Sequence, residues 1–168
     1  MKVSVAGLNK NDFTNGIGVT VSLFLQGCPH HCAGCQNPET WDPEAGTKML
    51  FEEALNKVLS AISANGIIRN LAISGGDPLA SYNYHSTVAL VQAVKEKYPD
   101  IKVFIWTGFT YDEIYSMLVP FADLTHIYLI TEPFILKERD ITLPLRGSRN
   151  QQVWLLPNQN VTALFDNK

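Results

Sequence analysis

Apolar, β-rich stretches recur at residues 2–6, 19–25, 70–74, 103–107 and 127–130, with a weaker one at 151–156. Several are near-continuous, such as Val103-Phe104-Ile105-Trp106. A strand with one buried face alternates apolar and polar positions, so a continuous run predicts burial on both faces. Between these runs the period lengthens. In 51–64, Leu55, Val58, Leu59 and Ile62 fall at helical spacing, 87–98 repeats the pattern with Leu90, Val91 and Val94, and 111–118 predicts a shorter third helix. Strand, helix, strand in succession predicts βαβ units on a parallel sheet. A complete eight-unit barrel takes roughly 250 residues. At about 30 residues per unit, this chain of 168 supplies about five or six strands. The expected fold class is α/β, an open, partial (β/α) barrel of about five or six mainly parallel strands, in one domain over residues 1–168.

Composition narrows the classes. With 46% hydrophobic and 17% charged residues the chain can bury a core of its own, and a formal charge of −3 gives no overall basic character for nucleic acid. No apolar run approaches the roughly 18 residues of a membrane span. Met1-Lys2-Val3-Ser4-Val5-Ala6-Gly7 passes directly into polar Asn9-Lys10-Asn11-Asp12, without the apolar core of a signal peptide. The expected location is the cytoplasm, with neither nucleic acid nor membrane as partner.

The candidate chemistry lies in one short loop. The chain's three cysteines, Cys28, Cys32 and Cys35, form C-x3-C-x2-C within Gly27-Cys28-Pro29-His30-His31-Cys32-Ala33-Gly34-Cys35. An odd count bunched in one loop is a poor disulfide framework, and a reducing compartment keeps such thiols ready for metal. Two metal centres suit them. A 4Fe-4S cube normally takes four thiolates, so three leave one iron open for chemistry; alternatively, His30 or His31 completes a tetrahedral zinc site in a non-catalytic interaction module. Structural zinc usually draws separated ligand pairs, and the crowding of all candidates into one loop favours the cube.

Ligands in α/β sheets sit at the carboxyl ends of strands, and three motifs fall there: the cysteine loop, Ser74-Gly75-Gly76-Asp77-Pro78, and Thr107-Gly108. As plain structure, Gly75-Gly76-Asp77-Pro78 is a strand-to-helix turn with Asp77 as N-cap and Pro78 in the first helical position. As a site, the glycines let main-chain carbonyls approach a ligand while Asp77 accepts protons from an amine. Gly16 and Gly18 match no phosphate-binding pattern. Trp41 is expected to anchor a loop by packing and Trp106 to lie in the core, while His85 and His126 are expected to open a helix and a strand.

These residues resemble the radical S-adenosylmethionine superfamily, and within it the branch that activates the anaerobic (class III) ribonucleotide reductase. The likeness rests on Phe13-Thr14-Asn15-Gly16-Ile17-Gly18, on Leu25-Gln26-Gly27-Cys28 through Cys35 with Asn37 and Trp41, and on Ser74-Gly75-Gly76-Asp77-Pro78-Leu79. Trp106-Thr107-Gly108-Phe109-Thr110 and Arg146-Gly147-Ser148-Arg149-Asn150-Gln151 continue it. The resemblance implies a 4Fe-4S cluster on Cys28, Cys32 and Cys35, with S-adenosylmethionine chelating the fourth iron. It further implies that Gly75, Gly76 and Asp77 orient the nucleotide's amine, and that Thr107 and Gly108 line its ribose or carboxylate side. The chemistry then belongs to cluster and nucleotide, with no catalytic side chain. A low-potential electron donor such as a flavodoxin drives cleavage to a 5′-deoxyadenosyl radical, which takes hydrogen from a glycine of the partner reductase. The branch commonly shows Asp-Gly-Pro-Phe after the strand at 127–130, where this chain has Thr131-Glu132-Pro133-Phe134.

Overall fold

The computed structural model describes residues 1–166. Eight strands make one sheet: β1 (Lys2–Asp12), β2 (Thr20–Leu25), β3 (Thr47–Leu50), β4 (Asn70–Gly75), β5 (Val103–Trp106), β6 (Ile127–Thr131), β7 (Gln152–Leu155) and β8 (Gln159–Asn160). Their order is β3-β1-β2-β4-β5-β6-β7-β8. Among the described residues there are three α-helices, α1 (Phe51–Ile62), α2 (Tyr84–Lys97) and α3 (Tyr111–Ile114), the last continued by a 3-10 segment, Tyr115–Phe121. No helix among them is long and apolar enough to cross a membrane.

This overturns the expected open, partial barrel of five or six mainly parallel strands. The sheet is mixed and the molecule mostly β. Only the pairs β2-β4, β4-β5 and β5-β6 are parallel, while β1 pairs antiparallel with β2 and β3 on one flank and β7 pairs antiparallel with β6 and β8 on the other. The cause is in the connections. Parallel neighbours need a crossover of a dozen or more residues, and α1, α2 and α3 supply one between each parallel pair. Residues 13–19 between β1 and β2 are too few for a crossover, and residues 132–151 before β7 hold no α-helix, so both chains turn back.

The parallel strands are buried on both faces, as their continuous apolar runs required. On one face Leu71, Ile73, Val103, Ile105, Ile127 and Leu129 pack with Val58 and Ile62 of α1 and Leu90, Val91 and Val94 of α2. On the other, Ala72, Phe104, Ile130 and Val153 form a smaller core against Trp106 and Tyr128. The helix face is closed at the end of α1 by Arg69. Its buried guanidinium donates to the carbonyls of Ala61, Ala64 and Ile67, tying the end of α1 to the segment that leads into β4. The other face carries the candidate site.

Candidate functional site

At the carboxyl ends of β2, β4 and β5 three turns meet. The turn after β4 is pressed onto the chain entering the cysteine loop: Gly76 N donates to Leu25 O at 2.7 Å and Asp77 N to Gly27 O at 2.8 Å. A methyl group on Gly76 would lie 2.1 Å from Gly27 O, so only glycine permits this approach. Asn83, buried just before α2, locks the same junction by donating to Gln26 O and Asp77 O, each at 3.0 Å.

All three cysteines are free and partly buried. The loop is fastened where it starts by Cys28 N donating to Trp41 O at 3.0 Å and where it ends by Cys35 N donating to Cys32 O at 3.1 Å. Asn37 N donates to Cys35 Sγ at 3.4 Å, the kind of bond to sulfur that tunes iron–sulfur centres. Burial pushes the Cys28 thiol up, amide bonds from His30 and His31 offset part of that, and the charge of Asp77 adds to it. A cation bound here reverses this balance, since metal takes the thiolate.

Asp77 is the hub. Its carboxylate, 1% exposed, accepts from Leu79 N at 2.8 Å, from Thr107 Oγ1 at 2.9 Å, from Gly108 N at 2.9 Å and from His30 Nε2 at 2.7 Å. One side chain thus ties the turn after β4, the turn after β5 and the cysteine loop. Four protein donors meet the carboxylate, so its bonding is taken up by the backbone and side chains it joins. Leu79 N meets it as an N-cap would, yet α2 begins only at Tyr84. The hydroxyl of Thr107 is likewise committed inward.

A cleft of about 490 Å³ opens beside the hub, on the face away from the helices. Phe24, Ser74 and Trp106 from the sheet line it together with Cys35 and Asn37 from the end of the cysteine loop and Arg146 from the segment before β7. That volume suits a nucleotide-sized molecule. Arg146 is 6% exposed and donates to Phe165 O and Asp166 Oδ1, while its buried Nε has no protein partner. The following residues staple their own segment: Gln151 Oε1 accepts from Gly147 N and Ser148 N, and Asn150 Nδ2 donates to Pro133 O. A larger groove of about 730 Å³ between β1, β3 and α1 contains no cysteine and none of these motifs.

The donor set fits an iron–sulfur cube. Three soft sulfurs occupy one loop, and both candidate histidines are engaged elsewhere, His30 with Asp77 and His31 stacked on Trp41 at 4.7 Å between ring centres. Among the described residues, no three His, Cys, Asp or Glu side chains converge on a single ion position.

The Gly75-Gly76-Asp77 turn, Thr107-Gly108 and the cysteine loop are therefore brought into contact, and Trp41 packs as a loop anchor. Trp106, expected in the core, instead borders the cleft and donates to Leu145 O at 2.7 Å. His30 and Asn83 escaped sequence reasoning. His30, which the sequence offered only as a candidate zinc ligand, lies against a carboxylate 47 positions away in the chain, and nothing local announces that pairing.

With the geometry in place, comparison with known proteins gives the class first. Residues 14–154 match the family model of a 4Fe-4S single cluster domain. The chain is 36% identical over 146 residues to the anaerobic ribonucleoside-triphosphate reductase-activating protein of Vibrio cholerae, covering 84% of this chain and 91% of that one. It is 34% identical to the protein of that name from Escherichia coli K12, covering 84% and 92%, and 34% identical to that of bacteriophage T4, covering 85% and 88%. The chain belongs to the family of anaerobic ribonucleoside-triphosphate reductase-activating proteins.

Proposed function

We propose that this protein is a radical S-adenosylmethionine enzyme that activates an anaerobic ribonucleotide reductase by generating a glycyl radical on it. Residues 1–168 act as one domain in the cytoplasm, where reducing conditions keep thiols free for iron. Cys28, Cys32 and Cys35 hold the 4Fe-4S cluster and leave one iron for the amine and carboxylate of S-adenosylmethionine. When bound and reduced by a low-potential donor such as a flavodoxin, this pair supplies the 5′-deoxyadenosyl radical that removes hydrogen from a glycine Cα. Gly75 and Gly76 present main chain to the nucleotide's amine. Asp77 fixes that main chain and holds Thr107 and Gly108 beside the ribose or carboxylate.

The protein's own work is to bind, orient and exclude water, since a carbon radical attacks the nearest C–H bond. The observation that carries the proposal is the convergence of the thiol loop, the Gly-Gly-Asp turn and Thr107-Gly108 on one buried carboxylate, in a chain of this family. The test combines the anaerobically reconstituted protein with the reductase, S-adenosylmethionine and a low-potential reductant. A glycyl doublet by electron paramagnetic resonance is expected from the parent and none from Cys32→Ser. A full doublet from Cys32→Ser contradicts the ligand assignment.

A further inference from the structure

The cysteine loop is tied by backbone at its start and its end, and the side chain that fastens its middle to the turns after β4 and β5 is His30. Three contacts fix its ring. Nε2–H donates 2.7 Å to Asp77 Oδ2, the ring meets Phe109 edge-on with centres 4.5 Å apart, and its flank lies so close to Gly108 that a methyl group there would come within 2.5 Å of Cδ2. The same Asp77 oxygen accepts from Gly108 N at 2.9 Å. A single carboxylate oxygen therefore joins the loop carrying the thiols to the turn after β5. The neighbouring contact of His31 on Trp41 is a stack without directional bonding to the Asp77 hub.

From this we infer that His30 is a positioning residue for the cluster: through Asp77 it holds the segment between the first two thiols in its metal-binding shape, in register with the Gly75-Gly76 and Thr107-Gly108 turns. The inference deepens the cluster assignment made above and rests on it. Ordering a loop costs conformational entropy at every residue, and a loop fixed during folding no longer presents that cost to the incoming metal. Partners that orient metal ligands from outside the coordination sphere typically change metal affinity ~10- to 100-fold. His30 touches no substrate; its effect reaches the cluster through the loop it anchors.

Iron release is the readout. The parent, His30→Ala, His30→Gln and His30→Phe are reconstituted anaerobically with iron and sulfide, then challenged with excess chelator, while urea unfolding is recorded on the metal-free proteins. Glutamine places a donor amide near the reach of the imidazole Nε2, whereas phenylalanine refills the space against Gly108 and Phe109 and donates nothing. His30→Ala and His30→Phe are expected to release iron ~10- to 100-fold faster than the parent. His30→Gln is expected to recover most of the difference, and iron-release rates are expected not to rank with the urea midpoints of the metal-free proteins, which fall wherever Asp77 loses a donor. Gly108→Ala, which drives a methyl at the ring and removes no donor, is expected to behave like His30→Ala.

Parent-like release from His30→Phe overturns the inference, because the ring then only fills space. Parent-like release from His30→Ala overturns it as well. So does a loss of iron that follows a loss of urea stability in every variant, which assigns His30 to the fold at large. A parent that takes up neither iron nor sulfide defeats the cluster assignment itself, and that failure is visible before any variant is compared.

Discussion

Buried carboxylates are costly unless their lone pairs are filled, and two aspartates near this site show how filling them builds structure. Asp77 is met by donors from three turns. Asp12, 4% exposed, accepts from Thr14 N and Thr14 Oγ1, each at 2.8 Å, from Asn15 N at 3.2 Å and from Asn15 Nδ2 at 2.7 Å. Burial works to raise its carboxyl, and the bonds from Asn15 and Thr14 together outweigh it, holding the group well below its ordinary 3.8. Because the folded value is depressed, this stabilisation is present above about pH 3.8 and drains away as the pH falls below it. Asp12→Asn is expected to lose about 1–3 kcal/mol at neutral pH, measured by urea unfolding, with the gap from the parent narrowing under acid. A gap that is constant with pH contradicts this account. The cysteines and the Gly-Gly-Asp turn were legible in the sequence because their patterns are local. The donors to Asp77 were not, since His30 and Thr107 lie 47 and 30 positions from it. Only the folded chain decides that they meet.

Among the elements, the connection from β6 to β7 carries an unusual backbone. Glu132 has φ +79°, a region that costs an L-residue roughly 1–2 kcal/mol and that glycine enters freely. It stands where relatives commonly have glycine, by the resemblance drawn from the sequence. Its backbone bonds, N to Phe109 O at 3.0 Å and O from Gln151 Nε2 at 3.2 Å, do not depend on the side chain. Burial raises its carboxyl above the ordinary 4.5, a bond from Tyr111 N partly offsets this, and the charges of Glu113 and Asp112 add to the rise. A raised acid favours the folded state least above its unfolded value, so this group's contribution falls as pH climbs past about 4.5. Glu132→Gly is expected to melt no lower than the parent and to gain up to about 1 kcal/mol at neutral pH, after glycine's own entropic cost of about 0.5–1 kcal/mol. A loss of that size instead shows that the carboxyl is structurally required. Strand and helix positions were largely readable from apolar runs and helical spacing. Strand direction was not, because it depends on what each connection can span. The short strands β3 and β8 present mostly exposed residues and leave almost no apolar signal.

For the whole molecule, the mixed sheet divides its work by face. Helices and the larger core cover one side, and the other holds a cleft lined by Cys35, Trp106 and Arg146. Family membership points to an iron–sulfur activating protein, and the geometry supplies a loop with three sulfurs braced against the turns that follow β4 and β5. The central claim is that three cysteines hold a cube whose remaining iron is open to S-adenosylmethionine. Mössbauer spectroscopy of protein reconstituted with isotopically labelled iron, before and after S-adenosylmethionine is added, tests it most directly. About one iron in four should change its spectrum while the rest stay as they were, as three protein thiolates on a four-iron cube require. A spectrum in which all the irons remain equivalent, or in which S-adenosylmethionine alters none of them, would contradict the account.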